Sequence, residues 1–191
     1  MNDRQLAVGI ALIAVCGTAI AHPGHSGDSL LAGFAHPLLG VDHLLSMLAV
    51  GVYAAQGPGR ARLALPFVFV LAMLGGAAMA ASGIGLPWLE QGIAASMIVL
   101  GLLLASAARV HVAAITLLVG VVAVLHGHAH YLEMGHQSAA AYAAGFGVAA
   151  VVIQAAGLLL SRWLPDSRAG QRSKRVLGGV VAFSGAALLA G

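Results

Sequence analysis

Cysteine is almost absent from this chain: its 191 residues include one, Cys16. A single thiol excludes both a disulfide framework and a thiolate metal site. Charge is scarce too, at 8% of residues, against roughly a quarter in a soluble domain. No G-x-x-x-x-G-K-S/T segment occurs, so the chain has no phosphate-binding loop with which to use ATP. What fills the chain instead is apolar bulk: 60% of its residues are hydrophobic and the mean hydropathy is +0.96. A chain of this kind cannot cover itself with polar surface, so lipid is its solvent. The formal net charge of +3 and pI of about 9.6 would suggest nucleic-acid binding in a soluble protein. Here the basic residues have a simpler use, given below, and no nucleic-acid partner is expected.

Residues 1–21 read as a cleaved signal peptide. Arg4 supplies a positive start, an apolar core follows, and Ala19-Ile20-Ala21 has the small-x-small form of a cleavage site. Val15 precedes Cys16 where a lipoprotein signal wants a small residue, which argues against lipidation. Residues 22–191 then form one polytopic, all-α transmembrane domain. A span needs roughly 20 apolar residues, and about six fit here. They fall at 31–55, 63–81, 89–107, 110–131, 138–161 and 176–190, separated by turn-forming or polar segments. Their wealth of Gly and Ala suits close helix packing in lipid.

Orientation follows from Lys and Arg, which accumulate on the cytoplasmic side. With His22 starting outside, Arg60 and Arg62, Arg109, and the group Arg162, Arg168, Arg172, Lys174 and Arg175 all fall in cytoplasmic connections. Together with Arg4 these are all nine basic residues of the chain. The expected location is the inner membrane of a bacterium, with the mature N-terminus and the C-terminus periplasmic.

Ionisable groups inside a span are costly and mark function. The first span carries His36-Pro37-Leu38-Leu39-Gly40-Val41-Asp42-His43. On a straight helix the two histidines would stand roughly 10 Å apart along the axis. A kink at Pro37 would be needed to bring them onto one ion. Asp42 is a hard-oxygen ligand or the acceptor that fixes a histidine tautomer. The fourth span ends in His126-Gly127-His128-Ala129-His130-Tyr131-Leu132-Glu133. His126 and His130 have the i, i+4 spacing that lets two imidazoles chelate one ion, and Glu133 continues that face. His128 points nearly opposite, toward a different contact. Both clusters fall in the periplasmic half of their spans. Imidazole and carboxylate without thiolate suit a divalent transition metal rather than Cu(I). A candidate capture site is His22-Pro23-Gly24-His25, where a free α-amino group and imidazole could grip an ion weakly. The plain alternative is a disordered terminus. Met47, Met73 and Met79 read as packing, and His111 and His136 as interfacial.

At these residues the chain resembles the HupE/UreJ family of nickel and cobalt permeases. The resemblance rests on His36-Pro37-x-x-Gly40-x-Asp42-His43-Leu44-Leu45 followed by Met47-Leu48-Ala49-Val50-Gly51, and on His126-Gly127-His128-Ala129-His130 with Glu133. Leu125 stands where an aromatic is expected, and Tyr131 stands where glycine is expected and could narrow the outer mouth. The resemblance implies uptake of Ni²⁺, in some members Co²⁺, through a secondary permease with no permanent cofactor and no enzymatic activity. The partners expected are the transported ion and the bilayer, with the oligomeric state left open. Two other readings of the histidines stand beside this one. One is a haem-binding electron-transfer module, the other an intramembrane metal-dependent enzyme with Asp42 or Glu133 as base.

Overall fold

The computed structural model describes residues 29–57, 61–164 and 167–191. The signal-peptide segment, His22 and His25 lie outside the described residues. Among the described residues all regular structure is helical, in seven elements: α1 (Ser29–Leu39), α2 (Val41–Ala54), α3 (Ala61–Ala81), α4 (Leu89–Ser106), α5 (Val112–Glu133), α6 (Ala139–Trp163) and α7 (Arg168–Ala190). Helices α3 to α7 are each long and apolar enough to cross a membrane. Helices α1 and α2 together meet the same test as one broken span, bent by 80°. The protein is therefore a helical membrane protein, with five candidate spans among the described residues, or six if the broken pair counts as one.

Two features differ from the sequence expectation. The first span was expected to run unbroken over 31–55 with any kink at Pro37. Instead Pro37 lies inside α1, and the break falls three residues later at Gly40, whose extended backbone (φ −85°, ψ 116°) separates the two helices. Proline removes one backbone hydrogen bond, but near the end of a short helix that loss is small. Gly40 has the greater freedom to leave the helix. The last helix was expected to begin near residue 176 and begins at Arg168. The Ser167 side chain accepts a hydrogen bond from Gly170 N (3.3 Å) and caps it. The basic residues that follow form helix readily, and their long stems let charged heads reach the interface.

Packing pairs the helices: α1 and α2 lie on α6, α3 on α5, and α4 on α7. Little hydrophobic force acts between helices in lipid, so close backbone approach has to supply the contact. On α5, a Cβ added at Gly127 would collide with the backbone of Met73 on α3. Met47, Val50, Phe69, Val119, Val122 and Phe146 fill the centre. Phe67, Leu117 and Phe183 are exposed, as lipid-facing side chains should be. Trp88 and Trp163, at helix ends, are among the most exposed residues, in keeping with interfacial aromatics. The ends of α2, α4 and α6 and the start of α7 converge on one cavity. His36, His43, His126 and His130 lie toward the opposite end.

Candidate metal site

The bend at Gly40 turns the end of α1 back over the start of α2. It places the His36 and His43 rings 5.8 Å apart, centroid to centroid. Helix α5 enters the same space with His130, whose ring lies 4.0 Å from His43 and 4.8 Å from His36. Glu133, one turn further along α5, reaches back so that its Oε2 accepts from His36 Nε2 at 3.0 Å and lies 3.8 Å from His130 Nδ1. Each of His36, His43, His130 and Glu133 thus offers one ligand atom, and the four atoms lie within 4.8 Å of one another. Imidazole nitrogens bind a divalent ion at about 2.1 Å, so opposed ligands sit about 4.2 Å apart. Closing the set on an ion takes side-chain rotation and no rebuilding of the backbone.

Exposure falls steadily through the group. The Glu133 side chain is 48% exposed and that of His36 31%, while His130 and His43 are buried. His126 is wholly buried, with its ring 5.2 Å from His43. Its Nδ1–H donates to the Val122 carbonyl (2.8 Å), which leaves the lone pair on Nε2. That nitrogen and Nε2 of His43 and of His130 are buried without a hydrogen-bond partner. An unsatisfied buried polar atom costs on the order of 1–3 kcal/mol. Three orphaned imidazole nitrogens around one space point to a ligand that supplies the missing bonds. Asp42 Oδ1 lies 2.6 Å from His43 Nδ1, an ion-pair contact rather than an aligned hydrogen bond, and an outer carboxylate at this distance raises an imidazole's basicity. A Cβ at Gly40 would stand 3.0 Å from both of those atoms, so only glycine leaves the pair undisturbed.

His128 does not join the group. Its Nε2–H donates to the Ile84 carbonyl (2.8 Å), tying α5 to the connection between α3 and α4. Of the sequence-predicted residues, then, His36, His43, His130 and Glu133 converge, Asp42 and His126 border them, and His128 faces elsewhere.

The comparisons with known proteins bear on this arrangement. A model of the HupE / UreJ protein family matches residues 10–188. Protein HupE of Rhizobium leguminosarum bv. viciae is 40% identical over 192 residues, covering all of both chains. The chain belongs to the HupE/UreJ family. No solved structure matches it.

The HupE/UreJ family is generally related to nickel and cobalt transport, and the His/Glu cluster is compatible with that. Its departures from the expected motif fall outside the four-atom set. Leu125 turns its methyl groups toward Gly92 of α4, away from the site. Tyr131 lines a cavity of about 250 Å³ that also borders His130, Tyr142 and Phe146.

Sequence reasoning missed Tyr142 and Phe146. The Phe146 ring packs on His130 with centroids 3.6 Å apart, and Tyr142 lies 5.9 Å from His36 with its hydroxyl buried and unpartnered. Aromatics in an apolar helix give no pattern that separates them from packing. Gln154 and Ser46, wholly buried and unpartnered, were missed as well. The signal was present for Gln154, the one amide side chain within α6.

Proposed function

We propose that this protein is a secondary permease that takes up Ni²⁺ or Co²⁺ across the bacterial inner membrane. The ion enters from the periplasmic side through the site that α1, α2 and α5 build. The observation that carries this reading is the convergence of four ligand atoms from three helices at the top of a gradient from exposed to buried. Glu133 and His36 meet the ion first and exchange their mutual hydrogen bond for the metal. His130 and His43 take it inward, with Asp42 raising the basicity of His43, and His126 presents its free Nε2 as the next donor. Ligands bind a metal deprotonated, so each hand-over is linked to proton movement.

The orientation rests on the basic residues. The described Lys and Arg lie at or near the helix ends opposite the metal-site histidines, which supports a periplasmic histidine end. His22 and His25 belong to this reading as a capture point on the same side. A haem is disfavoured because the His43 and His130 rings touch edge to face at 4.0 Å, with no gap for a porphyrin between them. A metal-dependent enzyme would need polar groups to hold a substrate in the cavity beside His130, whose lining is mainly apolar, with Met73, Leu74, Ala77 and Phe146 among it.

The test is accumulation of radioactive nickel at trace concentration in cells with and without the protein, beside His130→Ala at matched membrane levels. Uptake that requires both the protein and His130, and is competed by cobalt more than by zinc, is the expected result. Undiminished uptake by His130→Ala would remove the site from the reading.

A further inference from the structure

At the end opposite the histidines lies a cavity of about 750 Å³, bordered by Ala55, Gln56, Ala107, Arg109, Arg162 and Lys174 among others. Its character is the reverse of a cation site. Arg109, Arg162 and Lys174 give it three full positive charges. Lys174 is only 7% exposed, although a lysine is almost never this buried without a partner. Among the described residues no carboxylate forms an ion pair with any of the three; the ion pairs found there all involve histidines at the other end. The described acids, Asp42, Glu90 and Glu133, begin α2, begin α4 and end α5, all away from this cavity. The C-termini of α2, α4 and α6 each contribute about −0.5 of a charge here, and the N-terminus of α7 about +0.5. The balance stays positive, and Gln56, Gln171 and Ser161 add neutral donors around it.

We propose that this cavity binds a phosphate group, and that its source is the headgroup of an anionic phospholipid. Arginine forks and a lysine ammonium are the side chains that recognise phosphate oxygens. The volume is in the range of ligand pockets and exceeds what a bare ion needs. Trp163, 78% exposed beside Arg162, marks the depth as that of lipid headgroups. Basic pockets between transmembrane helices hold such headgroups in other membrane proteins. The lipid would supply the counter-charge that buried Lys174 lacks among the described residues and would tie the α4–α7 pair to α2 and α6. The inference needs the membrane, not the metal, so it stands or falls apart from the permease reading.

The experiment uses the purified full-length protein in detergent. Phosphatidylglycerol, phosphatidylcholine or inorganic phosphate is added, and retained lipid (by native mass spectrometry) and thermal unfolding are measured. The expected result is retention of phosphatidylglycerol over phosphatidylcholine, with a higher Tm. Retention should fall at least fivefold in Arg162→Gln/Lys174→Gln and stay in Lys174→Arg. Arg172→Gln/Arg175→Gln removes an equal charge from exposed positions outside the cavity and should leave retention unchanged. If millimolar inorganic phosphate raises Tm equally and displaces the lipid, the phosphate site holds and its source is soluble. Three results would overturn the proposal: no preference between the two lipids, an equal loss in Arg172→Gln/Arg175→Gln, or a lipid preference that emerges only in Asp166→Asn. The last would mean that the chain's own Asp166 is the counter-charge.

Discussion

At one end of the bundle, four histidines gather with Asp42 and Glu133, and among the described residues no lysine or arginine forms an ion pair there. At the other end, Arg109, Arg162 and Lys174 surround a cavity that no described carboxylate enters. The same Coulomb term accounts for both halves. A lysine 4 Å from a divalent ion would oppose binding by roughly 8 kcal/mol at an effective dielectric constant near 20, so a metal site has to be free of ammonium and guanidinium groups. Basic residues are needed elsewhere to orient the chain in the membrane. Segregating them to the far end serves both requirements. The ends also differ in sign: the histidine end keeps unpartnered buried imidazole nitrogens, while the basic end keeps positive charges with no ion-pair partner among the described residues. Each therefore asks for a ligand of opposite sign.

That contrast can be broken by substitution. The largest effect is expected from His43→Ala or His130→Ala. Either should reduce nickel accumulation to background, a greater loss than the roughly 10–100-fold that follows removal of an outer carboxylate. Asp42→Asn should fall inside that 10–100-fold range in metal affinity, measured by titration of the purified protein, because it alters the basicity of His43 without removing a ligand. Arg109→Gln at the basic end should leave metal affinity within about twofold; an effect as large as that of Asp42→Asn would mean the two ends are not separate. Next comes Gly127→Ala. Its new methyl group meets the Met73 backbone, so α5 must shift, at about 1–3 kcal/mol of stability, and thermal unfolding with and without nickel would show both the loss and a weaker metal response. The smallest effect is expected from His128→Ala. It loses one hydrogen bond to Ile84, worth about 1 kcal/mol, and should leave uptake nearly intact. Loss of uptake in that variant would return His128 to the metal path.

The residues that carry the site were legible in the chain, and their arrangement was not. The spacing of His126, His130 and Glu133 along one helix face needs only helical periodicity, so it could be read directly. His128, two residues from each histidine, had to face away by the same rule, and it does. His36 and His43 were a different matter. Their distance depends on where the first span bends, and proline and glycine three residues apart offered two answers. The bend at Gly40 brings their rings to 5.8 Å. The start of α7 was misjudged for a related reason. Four basic residues, Arg168, Arg172, Lys174 and Arg175, look like a connection by hydropathy, yet they form helix as soon as Ser167 caps it.

The amino-acid sequence by itself determined that this protein lives in lipid, that its chain crosses as several apolar helices, and that its cations and its two histidine clusters occupy opposite ends. These follow from local composition and from the cost of burying charge, which no packing arrangement can change. Only the tertiary structure decided which imidazole nitrogens meet, that Glu133 of α5 reaches His36 of α1, and that Lys174 is buried beside a cavity rather than extended into water. Those outcomes depend on helices distant in sequence approaching to within a side chain's reach. That approach is set by glycines such as Gly40 and Gly127, whose neighbours across the bundle cannot be read from the chain alone.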